Sequence, residues 1–356
     1  MTVRRCLAPA LSKSAALVLL AASSLCSPAR AQAVDRLYAL AKEEKAVVVW
    51  AAGPIAGHES AARAFEQRFP GIAVSVTGGF SNVLDRKIEE QMQAKKIETD
   101  LVILQTIQDL VKWDGLKELL HFKPDGFDAV GARSKDHEGA WIAVNTNPIF
   151  YGYNPDRVQH QAVPRLAIDF LRSQFAGGLI SAYPSDDDAT LFAFATIVKK
   201  YGWGYMAQYM KQQPKFVQGH LGVARSLGSG ESLVSFDATA SSVLAVQRAG
   251  GKVALAGPTD DFLPVFFSAE AILKNAPHPN AAKLYVTWLL SKEWQSHAGG
   301  YPSRSDVPGP AGLPPLSGFR LEDRYADFVS SETLVADLRR RLEAYSGPVT
   351  NAGDVK

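Results

Sequence analysis

The chain has 356 residues, of which 47% are hydrophobic and 21% charged, and its formal net charge is +2. These fractions are close to those of an average soluble domain and exclude a low-complexity chain. A single hydrophobic core stops growing at roughly 250–300 residues, so a chain of this length is expected to form two lobes.

The first residues have the pattern of an export signal. Arg4 and Arg5 precede the apolar run SAALVLLAASSLC, and the small residues Ala29 and Ala31 follow it. The run is shorter than the roughly 20 apolar residues that cross a bilayer, and the pattern is typical of a cleaved signal peptide. We therefore predict a signal peptide at 1–31, cleavage after Ala31 and a periplasmic location.

Cleavage changes the chemistry that the chain can offer. Residues 1–31 contain both cysteines, Cys6 and Cys26, and Leu25 stands where a lipoprotein signal requires a small residue. They also contain four basic residues and no acidic one, so the mature chain keeps 34 of 38 basic residues against 36 acidic ones, a net charge of −2. This charge gives no indication of nucleic-acid binding. Without cysteine, the mature chain has no disulfide, no thiolate metal ligand and no thiol nucleophile.

Strands and helices alternate over the first part of the mature chain. The runs KAVVVWAAGP, PGIAVSVTGG and TDLVILQT predict strands, and each is followed by a segment with helical periodicity. This alternation favours an open, parallel α/β sheet. Ligands bind beyond the carboxyl ends of such strands, so the loops at 52–56, 79–82 and 105–107 are expected to face a ligand.

Two long β-prone runs interrupt the alternation. GAWIAVNTNPIFYGYNPDRV at 139–158 and DDFLPVFFSAEAILKN at 260–275 bracket a further α/β stretch. They predict two crossover strands, with hinge crossings near 143–150 and 262–268. A hinge of this kind permits two lobes to close around a ligand.

The predicted fold class is therefore α/β, with two open α/β sheets joined by two crossover strands and a ligand cleft between them. Lobe 1 is predicted to comprise residues 32–142 and 268–356, and lobe 2 residues 143–267. The C-terminal segments AAKLYVTWLLSKEWQ and ADFVSSETLVADLRRRLEAY are expected to return to lobe 1.

Five segments resemble, in chain order, marks of bacterial extracellular solute-binding proteins: AFEQRFPGIAV, ETDLVIL, WIAVNTNPIFYGYNP, APHPNAAKLYVTWLLSKEWQ and YPSRSDV. More narrowly, they resemble the group around the ferric-ion-binding and phosphonate-type receptors of ABC importers. The resemblance implies a two-lobed, type II-like periplasmic-binding-protein fold. It also implies a protein that captures a small-molecule ligand and delivers it to an ABC permease and its ATPase. We further predict a monomer with no nucleic-acid partner.

The ferric branch of this family holds its metal with neighbouring tyrosines in the second lobe, shortly after the Gly-Glu pair that here is Gly230-Glu231. No tyrosine lies between Tyr209 and Tyr285, so the phenolate ligands expected from the family pattern near 237–240 are missing. Ferric-iron binding remains an alternative. We predict no metal site and no cofactor.

The triplet Asp186-Asp187-Asp188 precedes a helix-like run. Consecutive side chains point in different directions on a strand or a helix, so all three carboxylates cannot converge on one ion. Ser185 or Asp186 is expected to cap the helix, and the next acids to favour its dipole. Because the strand GGLISAYP ends just before, the triplet is also expected to offer acceptors to hydroxyls, an amine or a chelated cation in the cleft.

The candidate ligand contacts lie at predicted strand ends or at positions that the family pattern indicates. Lobe 1 is expected to contribute Phe80, Ser81, Asn82, Gln105 and Thr106. Lobe 2 is expected to contribute Tyr183, Ser185, Asp186, Arg225 and Asp237. Asn145 and Tyr151 are expected to contact the ligand from the hinge.

Patterns typical of enzymes are missing. The seven histidines form no HxxxH or HxH pair, and GSGES does not complete a G-x-S-x-G nucleophile elbow. We therefore predict no enzymatic activity and no catalytic residue. A receptor that docks on a signalling protein remains an alternative to a transport receptor, and the ligand remains open among organic anions, polyols, amines and metal chelates.

Overall fold

The computed structural model describes residues 28–53, 55–298 and 300–350. Residues 1–27 of the predicted signal peptide lie outside the described residues. The first helix begins at Pro28, so cleavage after Ala31 stays a prediction.

The described strands are short except for two of twelve residues each. In chain order they are β1 (Ala46–Ala52), β2 (Ala73–Gly79), β3 (Leu101–Leu104), β4 (Leu119–Leu120), β5 (Ile142–Tyr153), β6 (Ile180–Ala182), β7 (Lys215–Val217), β8 (Val234–Thr239), β9 (Ala254–Ala256), β10 (Phe262–Leu273), β11 (Tyr301–Pro302) and β12 (Arg320–Glu322).

The described helices alternate with these strands in both halves of the chain. They are α1 (Pro28–Glu44), α2 (Ile55–Arg68), α3 (Ser81–Gln93), α4 (Ile107–Gly115), α5 (Asp188–Tyr201), α6 (Trp203–Lys211), α7 (Gly219–Ser229), α8 (Ala240–Arg248), α9 (Pro279–Leu289), α10 (Lys292–His297), α11 (Tyr325–Val329) and α12 (Glu332–Ser346). Within the described part of the chain, no helix combines the length and the hydropathy that a membrane crossing needs.

The sheet of lobe 1 is built on the parallel strands that the sequence predicts. β1 pairs in parallel with β2 on one side and with β3 on the other. β3 is buried on both faces of the sheet, whereas in β1 alternate residues are buried and half-buried and β2 is more exposed. Phe65, Tyr285 and Trp288 lie in the cluster on one face, and Ile107 and Trp113 in the cluster on the other.

The two long strands, β5 and β10, cross between the lobes. They pair antiparallel to each other from Ile142 opposite Glu270 to Pro148 opposite Val265. β10 also pairs with β3 in lobe 1, whereas the second half of β5 pairs with β8 and β9 in lobe 2. The predicted fold class is confirmed, whereas the exact lobe boundaries stay a prediction.

Asn145 lies at an irregularity in this crossing. The register shifts between Ser268 and Ala269, and the Asn145 Oδ1 accepts a hydrogen bond from the Ser268 N–H at 3.0 Å. The same oxygen accepts a hydrogen bond from Asn147 Nδ2 at 2.8 Å. The side chain of Asn145 is therefore engaged in the crossover strands themselves.

The C-terminal helices divide between the two lobes. α9 packs with α1 and β1 in lobe 1, as predicted. α12 instead packs on lobe 2, where Val335, Leu338 and Leu342 join the buried cluster around Phe194. The amphipathic pattern of α12 predicts a buried face but does not indicate which lobe covers it.

We expect Leu342→Ala to lower the free energy of unfolding by about 3 kcal/mol, because it deletes a fully buried side chain from the lobe 2 core. Leu334→Ala on the same helix is the matched control. Leu334 is 48% exposed, so its truncation is expected to change stability by less than about 0.5 kcal/mol. Urea unfolding measures both variants, and equal stabilities would contradict the packing of α12 on lobe 2.

Candidate functional site

A cleft of about 320 Å³ lies where the two lobes meet. Lobe 1 lines it with Phe80, Ser81, Asn82, Asp85, Gln105, Thr106, Gln108 and Asp109. Lobe 2 lines it with Ser185, Asp186, Asp187, Asp188 and Gly219, and Arg339 reaches it from α12. Seven of these residues are among the predicted ligand contacts: Phe80, Ser81, Asn82, Gln105, Thr106, Ser185 and Asp186.

The cleft is built from strand ends and helix starts. β2 ends at Gly79 just before α3, and β3 ends at Leu104 just before Gln105 and α4. The Ser81 Oγ accepts a hydrogen bond from the Gln105 N–H at 3.1 Å, which ties the two loops together. On lobe 2, β6 ends shortly before α5. Parallel strands place their carboxyl ends at one edge of a sheet, which is why several residues expected from the strand ends line this cleft.

Gly219 lets lobe 1 approach lobe 2 closely at the start of α7. Its φ angle is +66°, which favours glycine, and a Cβ there would lie 3.0 Å from the ring of Phe80. The ring of Phe80 therefore lies against the backbone of the opposite lobe.

Three side-chain amides of lobe 1 donate hydrogen bonds to the three consecutive aspartates of lobe 2. The pairs are Asn82 Nδ2 with Asp186 Oδ1 at 3.0 Å, Gln105 Nε2 with Asp187 Oδ2 at 3.3 Å, and Gln108 Nε2 with Asp188 Oδ2 at 2.9 Å. Asp188 also pairs with Arg339. The three carboxylates thus diverge to separate partners, which agrees with the geometric expectation that they do not share one ion.

Asp187 is the N-cap of α5. Its Oδ1 accepts hydrogen bonds from the N–H groups of Ala189 and Thr190, both at 2.9 Å. The expectation that Ser185 or Asp186 caps this helix is therefore wrong by one or two positions. Asp186 instead accepts a hydrogen bond from Gln218 Nε2 at 2.9 Å, and the Ser185 Oγ is buried without a hydrogen-bond partner.

A buried histidine that the sequence analysis missed lies beneath the aspartates. His220 Nδ1 is 3.1 Å from Asp237 Oδ1, and its Nε2 is 3.6 Å from Asp187 Oδ1. Neither ring nitrogen makes an aligned hydrogen bond, but each lies within ion-pair distance of one carboxylate. The ring also stacks on Phe266 of β10, with 5.7 Å between ring centroids.

The two carboxylates determine the charge of this histidine. Burial alone would lower the pKa of His220, but Asp237 and Asp187 outweigh it and raise the pKa well above the usual value. Burial alone would likewise raise the pKa of Asp187, and the His220 cation instead holds it at about 2. At neutral pH, His220 is therefore positive and Asp187 negative.

Asp237 links three elements of lobe 2 through hydrogen bonds beneath the cleft. Its Oδ2 accepts hydrogen bonds from Ser181 Oγ at 3.1 Å, from the Ala182 N–H at 2.8 Å and from Thr190 Oγ1 at 3.1 Å. These contacts join β6, α5 and β8. Asp237 is fully buried and does not line the cleft.

The structure does not place the remaining predicted ligand contacts in the cleft lining. The Tyr183 hydroxyl is 2.9 Å from Thr350 Oγ1. The Tyr151 hydroxyl donates to Asp261 Oδ2 at 3.0 Å. Arg225 lines a separate, shallower depression beside Glu231. Asn145 belongs to the crossover strands and Asp237 to the buried network, as described above.

Two carboxyl groups in the cleft wall, those of Asp85 and Asp109, are not among the residues that the sequence predicts. Asp85 lies one helical turn after Ser81 on α3, and Asp109 lies in the first turn of α4. Burial, and then the charge of Asp109, raises the pKa of Asp85 to about 7; burial also raises the pKa of Asp109. The spacing of Ser81 and Asp85 by four residues is the sequence signal that indicates a shared helix face.

The lobes, the crossing strands and the cleft together define a two-lobed, type II-like periplasmic-binding-protein fold. Residues 74–311 match the model of the family described as bacterial extracellular solute-binding protein, and the chain belongs to that family. The resemblance noted in the sequence is thereby confirmed. None of the curated protein sequences matches the chain significantly.

Solved structures of several periplasmic receptors share the fold. Iron-bound HitA from Pseudomonas aeruginosa is 18% identical, with a TM-score of 0.68 over 83% of this chain and 99% of that one. AfuA from Actinobacillus pleuropneumoniae, with fructose-6-phosphate bound, is 18% identical, with a TM-score of 0.72 over 85% of this chain and 98% of that one. The ferric binding protein from Campylobacter jejuni is 15% identical, with a TM-score of 0.66 over 83% and 99%. At these identities the similarity establishes the fold alone.

We expect His220→Gln to lower the free energy of unfolding by about 3 kcal/mol near pH 6, because it leaves two buried carboxylates without their cation. The pKa of His220 is raised in the folded protein. Its contribution to the free energy of unfolding is therefore complete below the unfolded-state pKa of about 6.5, and it is lost as the pH rises through the folded-state pKa. The stability difference between wild type and variant should therefore shrink above pH 6.5.

Chemical denaturation of both proteins at several pH values from about 6 to 10 measures this difference. His137→Gln is the matched control, because the side chain of His137 is 87% exposed. A difference that stays constant over this range would show that His220 is not held as a cation.

Proposed function

We propose that the protein is the periplasmic substrate-binding component of an ABC importer. In this role it captures a small solute between its lobes, closes around it and delivers it to a permease and its ATPase. The observation that carries the proposal is the cleft itself, whose two walls belong to different lobes and meet through direct hydrogen bonds. Membership of the extracellular solute-binding family supports the same role.

The crossing strands supply the hinge for this cycle. β5 and β10 change their pairing partners where they pass from one lobe to the other. A hinge needs only a few residues that absorb a change of backbone angles, and the irregular register at Ser268 and Ala269 lies at this crossing. Closure around the hinge would bring the amides of Asn82, Gln105 and Gln108 onto the aspartates.

The contacts between the walls are suited to reversible closure. Each is a hydrogen bond between an amide and a carboxylate at a partly exposed site, worth about 1.5 kcal/mol net, the low end for a hydrogen bond to a charged group. A few such bonds bias the lobes towards closure without locking them. A bound solute would then add its own contacts with both walls and complete the shift to the closed state.

The cleft has hydrogen-bonding groups but no arrangement that indicates chemistry on the solute. Its buried histidine is held between two carboxylates and lies beneath the lining, and no cysteine remains after the predicted cleavage. We therefore propose a receptor without enzymatic activity, exported as a monomer after cleavage following Ala31.

Iron capture is the weaker candidate for this cleft. The tyrosines that hold iron in the ferric branch have no counterpart between Tyr209 and Tyr285. In the described part of the chain, no group of three or more His, Cys, Asp or Glu residues is arranged to hold a metal ion.

The proposal predicts saturable binding of one small solute, with closure of the lobes. A thermal-shift screen of the mature protein against amines, polyols, sugar phosphates, organic acids and ferric salts identifies the solute. A ligand at 1,000 times its Kd should add about 4 kcal/mol of stability. Small-angle scattering should then show a smaller radius of gyration for the complex.

Uptake measurements separate transport from sensing. Cells that lack this protein should take up the identified solute more slowly, whereas a sensor would leave uptake unchanged and alter gene expression instead. Binding without any change in radius of gyration would contradict closure of the lobes.

A further inference from the structure

We propose that the cleft recognises a positively charged organic solute, an amine or a guanidinium compound, and that Asp85 and Asp109 receive its charged group. This inference rests on the proposed receptor function and names the class of its solute.

Negative charge dominates the cleft wall. Five carboxyl groups and one guanidinium line it, the carboxyls belonging to Asp85, Asp109, Asp186, Asp187 and Asp188 and the guanidinium to Arg339. An anionic solute would enter against this charge, whereas an organic cation would be attracted by it.

Two of the five carboxylates already have cationic partners. The buried His220 cation lies beside Asp187, and Arg339 pairs with Asp188. Asp186 accepts hydrogen bonds from the neutral amides of Asn82 and Gln218. These contacts leave the Asp85 and Asp109 pair as the part of the wall whose charge is least compensated.

The surroundings of this pair are mostly negative as well. Glu89 on α3 and Asp188 on α5 act on Asp109 with the same sign of charge. Lys112, a basic group whose charge interacts with both carboxyl groups, donates its hydrogen bond to Glu89 at 2.7 Å. A ligand cation would therefore meet carboxyl groups from two helices of lobe 1 without displacing an existing ion pair of theirs.

The raised pKa of Asp85 indicates a carboxyl group whose ionised form a nearby cation would stabilise. The two carboxyl groups lie within hydrogen-bond reach of each other, and burial and mutual repulsion raise the pKa of Asp85 to about 7. Near neutral pH a proton therefore partly neutralises the pair. An ammonium or guanidinium group would favour the ionised form of both carboxyls, so that its binding releases protons.

An independent feature of the same wall also indicates a ligand. The hydroxyl of Thr106 is without a hydrogen-bond partner although the residue is only 4% exposed and lines the cleft. The Gln108 Oε1 beside it is also buried without a partner. Buried polar atoms are normally hydrogen-bonded, and both of these oxygens can accept from an N–H group of a ligand.

The dimensions of the cleft favour an organic cation over a bare ion. A volume of about 320 Å³ is within the range of small-molecule sites. The ring of Phe80 provides an apolar surface in the same cleft, where it can contact the carbon skeleton of the ligand.

Isothermal titration of the mature protein with probes matched in size but not in charge tests the proposal. Putrescine, spermidine, agmatine and choline form the cationic set, while 1,4-butanediol and succinate are the neutral and anionic counterparts of putrescine. We expect saturable binding of at least one cation and no binding of butanediol or succinate. At neutral pH, the binding enthalpy should depend on the ionisation enthalpy of the buffer, because protons are released.

Asp85→Asn is the decisive variant. It keeps the shape of the side chain but removes the charge, so we expect it to weaken cation binding at least about 10-fold and to reduce the buffer dependence. Asp156→Asn is the matched control, because Asp156 is exposed and outside the cleft lining, and its affinity should equal that of the wild type. Circular dichroism and melting temperature verify that each variant is folded.

Three results would overturn the inference. The first is saturable binding of the neutral or anionic probe while no cationic probe binds. The second is no binding of any cationic probe up to about 10 mM. The third is an unchanged cation affinity in a folded Asp85→Asn variant. The proposed receptor function is tested separately. A neutral or anionic solute that closes the lobes would overturn this inference but leave the receptor function intact.

Discussion

The carboxylate of Asp187 is the contact on which the geometry of the cleft depends. One oxygen caps α5 and lies near the buried His220 cation, and the other accepts a hydrogen bond from Gln105 of lobe 1. The same carboxylate thus caps a helix, pairs with a buried cation of lobe 2 and accepts a hydrogen bond from lobe 1. Because α5 begins directly after Asp187, the backbone geometry of the helix start also orients the side chains of Asp186 and Asp188.

This arrangement explains why three consecutive acids are compatible with a stable fold. Three carboxylates side by side repel one another, and each is stabilised by a different neighbour: Gln218 for Asp186, the helix start and His220 for Asp187, and Arg339 for Asp188. Those neighbours come from α7 and α12 as well as from the strand ends. The C-terminal helix therefore takes part in the cleft and does more than cover a hydrophobic surface.

Local patterns in the sequence predict the features that depend on local structure. The apolar runs before Gly79 and Leu104 predict β2 and β3, and the ends of these strands place Asn82 and Gln105 in the cleft. Contacts between distant segments leave no such pattern. Nothing in the sequence connects His220 with Asp187 and Asp237, or Arg339 with Asp188, because these pairs form only when the lobes fold. Asp237 and Arg225 are expected ligand contacts, yet one is buried in lobe 2 and the other lines a separate depression.

The central claim is that three amides of lobe 1 hold the lobes together by binding three aspartates of lobe 2. The distance between spin labels on the two lobes tests it most directly. A protein comprising residues 32–356 has no cysteine to interfere with labels at Lys87→Cys and Lys252→Cys, two exposed positions. Without solute, the labelled protein should show a short distance together with a longer one from its open state. Adding Asn82→Ala, Gln105→Ala and Gln108→Ala should deplete the short distance in favour of the longer one, because the hydrogen bonds of these amides to the aspartates are lost. An unchanged distance distribution in this folded variant would contradict the account.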